Sequence, residues 1–329
     1  MPRPCSAELG VAQAQYWQRW AGLRDAHVRA LAWLLTAPPS LESSLSPLLA
    51  QPDDLFARAG SPDDYLHRLD ADPAHLHRLL ATSSSRRLGH YAELLFYQYL
   101  LDHSDHCRHG LQLRDERGRT IGEFDFLVQR CGRTEHWELA SKFYLWPASA
   151  QADSTASLHH FLGPNLNDCF GDKLDKMLNA QLRLGGRPEY ARLNLPVVDT
   201  ALAWIRGWMF YPPELAGKPL QLPGLVVGHN QGWMLTASAF LRLPDCCGRI
   251  LPRLAWLAPA RCEAGEVMKT LALREAISAH FRQSAAPVLL AQMDVAGDSA
   301  YECARYMIVP DDWPDKALRM WQAMQAVGR

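Results

Sequence analysis

The sequence predicts an α/β fold: a helix, three consecutive strands, a second helix and a further strand. Three observations carry that prediction. Apolar residues recur at helical spacing through Leu88, Tyr91, Leu94, Leu95, Tyr99 and Leu100. After His109 and Gly110 the spacing changes to two-residue alternation, first over 111–114 and then over 120–128. Residues 201–211 are then dense in Trp, Ile and Phe, the composition of a buried strand.

Taken in order, residues 1–84 read as a helical N-terminal elaboration. Trp17, Trp20, Leu23, Val28, Leu31, Leu34 and Leu35 fall near the helical period, and Pro38-Pro39 ends the run. Ser83 to Ser85 offer a serine cap to the helix that carries Glu93. Gly132 and its polar neighbours make 130–133 a hairpin turn between the strands 124–128 and 136–145. Residues 147–157 are small and polar, a loop, and Gly163-Pro164-Asn165 is a tight turn. A helix over 173–184 is stopped by Gly185-Gly186, and Pro212-Pro213 closes the strand 201–211. The segment 85–240 is thus an αβββαβ core. Residues 241–329 form an α+β extension expected to pack on that core: a helix over 267–280, strands at 288–295 and 301–309 joined by a turn at Gly297-Asp298, and a terminal helix over 314–327.

Composition narrows the function. Hydrophobic residues make up 48% of the 329 residues and charged residues 21%, the balance of a folded globular protein. With a net charge of −1 there is no global positive field, so any nucleic-acid binding must use a local patch. The eight cysteines show no C-x-x-C spacing and no signal peptide precedes them, which reads as reduced thiols in a cytoplasmic protein. The longest apolar runs fall far short of the about 20 residues that span a bilayer, so no membrane partner is expected. The phosphate-cradling patterns G-x-x-x-x-G-K-[ST] and G-x-G-x-x-G are absent, as is G-x-S-x-G.

The chemistry concentrates in Gly122-Glu123-Phe124-Asp125-Phe126 and, after the turn, in Glu138-Leu139-Ala140-Ser141-Lys142. On regular strands Glu123 and Asp125 share one face, with Phe124 and Phe126 on the other, while Glu138, Ala140 and Lys142 share a face. A hairpin places Asp125 near Glu138, with Lys142 about 13 Å from Glu138 along the strand. Two close carboxylates repel, which raises one pKa unless a cation lies between them; magnesium, which takes one or two protein carboxylates along with waters and phosphate oxygens, suits that need. The same residues could instead form a solvated face with cross-strand ion pairs.

Together with the order of elements, these residues resemble the core motifs of the PD-(D/E)XK nuclease superfamily, over somewhat under half of the chain. The wider layout, with its aromatic-rich helical N-terminus and Gly163-Pro164-Asn165, also resembles a bacterial domain-of-unknown-function group assigned to that superfamily. The resemblance implies a restriction-endonuclease-like αβββαβ sheet flanked by helices, and a magnesium- or manganese-dependent nuclease acting on DNA or RNA. It makes Asp125 and Glu138 metal ligands, Glu93 an additional metal-site glutamate on the preceding helix, Lys142 the motif lysine and Gln181 a site glutamine. Lys173, Lys176 and Arg183 are spaced to give one basic helix stripe for phosphates. One departure stands out: acid and lysine are four residues apart where the pattern has two. Either the lysine has moved from the place held by Ala140 to Lys142, or Lys142 is in register and the acid position is lost to Ala140. A nuclease-fold protein that only binds nucleic acid or a protein partner is the alternative.

Overall fold

The computed structural model describes residues 11–57, 60–147, 156–216 and 220–326. Most of the loop predicted at 147–157, and Val327 of the terminal helix, lie outside the described residues. Five helices open the chain: α1 (Val11–Trp20), α2 (Ala26–Thr36), α3 (Pro52–Phe56), α4 (Pro62–Ala71) and α5 (Ala74–Ala81). Asp25 caps α2 by accepting from the amides of His27 and Val28, and α2 is then buried almost all round, as its apolar run from Leu31 to Leu35 demands. Next come α6 (Leu88–Asp102), β1 (His106–Arg114), β2 (Thr120–Arg130), β3 (Arg133–Leu145), α7 (Phe170–Asn179) and β4 (Thr200–Tyr211), the expected αβββαβ order. The rest is β5 (Gln231–Thr236), α8 (Ala237–Leu241), β6 (Cys247–Leu251), β7 (Arg261–Glu263), β8 (Met268–Lys269), α9 (Thr270–Gln283), β9 (Val288–Ala296), β10 (Ser299–Val309) and α10 (Trp313–Ala326).

The strands form one ten-stranded, mostly antiparallel sheet in the order β1-β2-β3-β4-β5-β10-β9-β6-β8, with β7 paired to β10. Its parallel pairings are central, joining β3 to β4, β4 to β5 and β5 to β10. The C-terminal strands therefore continue the core sheet: β10 lies between β5 and β9. Against one face pack α2 and α6, through Trp33, Phe96, Trp137, Trp204 and Trp208, all fully buried. Three strand tryptophans satisfy their indole N–H, Trp137 on Glu135, Trp204 on the Leu34 carbonyl and Trp208 on the Leu257 carbonyl, which makes these three structural. No helix among the described residues is long and apolar enough to cross a membrane.

Three local expectations are corrected. Arg87 precedes α6 and makes no side-chain cap; the hydroxyls of Ser83 and Ser85 instead accept from the backbone two residues on, at Ser85 and Arg87. The helix predicted over 173–184 ends at Asn179, and residues Gln181–Gly186 form 3-10 turns. Arg183 thus leaves the basic stripe, since the turn at Ala180 lets Gln181 bond a buried carboxylate, which outweighs one more turn of exposed helix. The alternation along β2 also breaks. Phe126 faces α6 with Phe96 and Tyr97, whereas Phe124 packs on the opposite layer against Tyr190 and His136. The side switch falls at Asp125, and on β1 the break is matched by Gly110, whose φ of +66° glycine alone adopts freely.

Candidate functional site

The β2–β3 ladder runs from Arg130↔Arg133 to Phe126↔Trp137 and stops. Beyond it the strands part, and side chains take over the backbone's hydrogen bonding. The Leu139 amide donates to Asp125 Oδ2 at 2.9 Å, and the Asp125 amide lies 3.4 Å from Glu138 Oε1. The two carboxyl groups therefore converge in the fork between the strands. Glu138 is wholly buried; His136 Nε2 meets its Oε1 at 2.7 Å and Gln181 Nε2 donates to its Oε2 at 2.8 Å. Because His136 Nδ1 has no hydrogen-bond partner, the ring's proton is best placed on Nε2 and donated to Glu138. Burial holds His136 neutral, down at about 4.

Asp125 lines a cleft of about 850 Å³ that also takes in Glu93, Ser141, Lys142, Lys173 and Gln181, with Arg86, Arg87 and Arg253 around it. Desolvation, followed by the charge of Glu138, pushes Asp125 up to about 8; desolvation likewise pushes Glu138 up to about 7. They titrate as a pair, and at neutral pH the pair carries less than its full two charges. The cation coupled to both is Lys173 on α7, itself pulled down by desolvation and by Lys142. Lys142 lines the same cleft and is engaged by Asp168, its ammonium 3.1 Å from Asp168 Oδ2. Asp168, just before α7, is thus the partner of Lys142.

A family model described as a domain of unknown function, DUF1853, matches residues 29–309, a span that contains every residue of the cleft. The chain belongs to that family. No curated protein and no solved structure matches it. Within the family span, six of the residues singled out in the sequence come together around the fork: Asp125, Glu138, Lys142, Glu93, Lys173 and Gln181. Lys176 does not line the cleft; it is exposed on α7.

Residues that sequence reasoning passed over also meet here. His136 lies one pleat before Glu138 on the same face, a spacing that singles it out only once Glu138 is known to be buried. His90 precedes Glu93 by three on α6, a helical-neighbour spacing that was there to be read. His109 comes from β1 and had no local signal.

Asp125 and Glu138 offer only oxygen, the donor type a hard divalent cation takes, and two close carboxyls whose charging is resisted by desolvation are what such an ion offsets; Glu93 groups instead with His90 and His109.

Proposed function

We propose that this protein is a magnesium- or manganese-dependent phosphodiesterase acting on DNA or RNA, with the fork between β2 and β3 as its centre, in a restriction-endonuclease-like core. The observation that carries this reading is the convergence of Asp125 and Glu138 where the ladder ends, beside Lys173 and within a cleft edged by arginines. In it, Asp125 and Glu138 hold the ion and Glu93 assists. Magnesium in that position supplies a more acidic water and offsets charge developing on a phosphate. Gln181 and His136 fix the Glu138 carboxylate, as partners behind metal ligands do. Lys142 assists the attacking water. Lys173 supplies the positive charge coupled to the carboxylates, and with Lys176 on the same helix, and Arg86, Arg87 and Arg253 around the cleft, draws in the phosphate backbone.

A second reading, a nuclease-fold protein that binds nucleic acid or a protein without cleaving, is favoured by Ala140 in the lysine place and by the occupation of both Glu138 oxygens. Labelled single- and double-stranded DNA and RNA, incubated with magnesium or manganese, separate the two. Cleavage that is lost in chelator and in Asp125→Ala supports the phosphodiesterase. Binding that persists in chelator and in Asp125→Ala, with no cleavage in the wild type, supports the second reading.

A further inference from the structure

Beside the cleft, which His90 and Glu93 line, three side chains from two elements converge. His90 and Glu93 lie one turn apart on α6, and His109 reaches them from β1. Glu93 Oε2 is 3.4 Å from His109 Nε2 and 3.6 Å from His90 Nδ1. One ligand atom from each of the three lies within 4.8 Å of the others. We propose that His90, Glu93 and His109 form a binding site for a divalent ion of the first transition row, with its remaining coordination positions open to the cleft.

Three features favour an ion over a plain histidine–carboxylate cluster. Around an ion bonded at about 2.1 Å, neighbouring ligand atoms sit about 3.0 to 3.5 Å apart, close to both separations from Glu93. The His109 ring is oriented by packing, since it stacks on Tyr97 and on Phe126, each with centroids 5.2 Å away. A ligand held by its own packing makes a preorganised site. All three side chains are also partly open to solvent, at 34%, 29% and 16% exposure for His90, Glu93 and His109, which leaves room for water or substrate on the ion. Three protein ligands with an open position is the pattern of catalytic rather than structural sites.

The ligand chemistry separates this site from the fork. Imidazole nitrogen suits zinc, iron, cobalt and nickel, whereas magnesium prefers an all-oxygen set such as Asp125 and Glu138. Glu93 alone is common to both, and its charge acts on Asp125 and on Glu138, so the two sites are neighbours. The proposal does not rest on phosphodiesterase activity and survives the loss of that reading.

Cobalt(II) titrated into the metal-free full-length protein, followed by visible absorption, tests it. We expect one saturable band that millimolar magnesium does not displace and that Asp125→Asn retains. The apparent affinity falls by more than about tenfold in His90→Ala and in Glu93→Gln. His90 is a partly exposed helix residue whose replacement spares the core, and circular dichroism checks that both variants fold. No band in the wild type, or one unchanged in the His90→Ala, His109→Ala double variant, overturns the proposal. So does a band that Asp125→Asn removes and His90→Ala leaves intact, which assigns the ion to the fork.

Discussion

Asp125 and Glu138 make the metal-free protein sensitive to pH in a definite direction. A carboxyl whose folded pKa lies above its unfolded value binds its proton more tightly when folded. Its contribution to stability is present below the unfolded pKa and is lost as pH rises to the folded one. That window runs from 3.8 to about 8 for Asp125 and from 4.5 to about 7 for Glu138. His136 and His229, both lowered from 6.5 to about 4 by burial, act oppositely, gaining stability as pH rises towards 6.5. The two effects offset one another in the acid range, so a net fall remains between about pH 6.5 and 8. Thermal scans in chelator should therefore show a lower midpoint at pH 8 than at pH 6.5, and Asp125→Asn should flatten the difference; a midpoint that climbs across this range contradicts the assignment. Gln181→Ala removes the donor to Glu138 Oε2 and leaves half of a buried carboxyl unpaired, which should cost about 1–3 kcal/mol in urea unfolding. The nearness of Asp125 and Glu138 was legible from the short hairpin that joins their strands, but the strict alternation used to aim them was not kept, since it breaks at Asp125 where the ladder ends. Their partners were not legible: Gln181 reaches the fork only because α7 ends early, and Lys173 was legible as a basic helix residue but not as the cation coupled to the pair.

At the scale of elements, the site depends on the place where β1 and β2 change sides. Gly110 sits at that break with φ +66°, and a Cβ there would meet only Glu123 Oε1, at 3.8 Å. Space is therefore no obstacle to Gly110→Ala, and the penalty is the left-handed backbone itself, about 1–2 kcal/mol. The variant should unfold at lower denaturant by that amount and, because Gly110 adjoins His109, should also weaken cobalt binding. The sequence marks Gly110 as the boundary where helical spacing gives way to alternation, but the strand begins earlier, at His106, and carries the glycine inside it. The strand β5 was not legible at all. Gln231 to Thr236 is short and interrupted by Gly232, and what makes it a strand is pairing with β4 and with β10, some seventy residues later in the chain.

At the scale of the whole molecule, the αβββαβ order was readable because each element is encoded locally, whereas the joining of the C-terminal strands to the same sheet is a long-range fact. Truncation after Leu241 removes β10 and every strand beyond it, which leaves β5 without its partner on that side, so that fragment should fail to fold cooperatively, while the full chain melts in one transition by circular dichroism. Arg305 on β10 ties this region together, bonding Glu302 and the carbonyls of Trp256 and Ala258 while stacking 4.0 Å from the Trp208 ring centre. Glu302→Gln leaves that buried guanidinium without its counter-charge and should destabilise the protein by about 3–5 kcal/mol in chemical denaturation. The functional reading stands on an ion held at the fork, and calorimetric titration of magnesium at pH 8.5, where the carboxyl pair is mostly ionised, tests it most directly. The wild type and His90→Ala should both bind magnesium with measurable heat and Asp125→Asn should not; no binding by the wild type, or equal binding by Asp125→Asn, would contradict it.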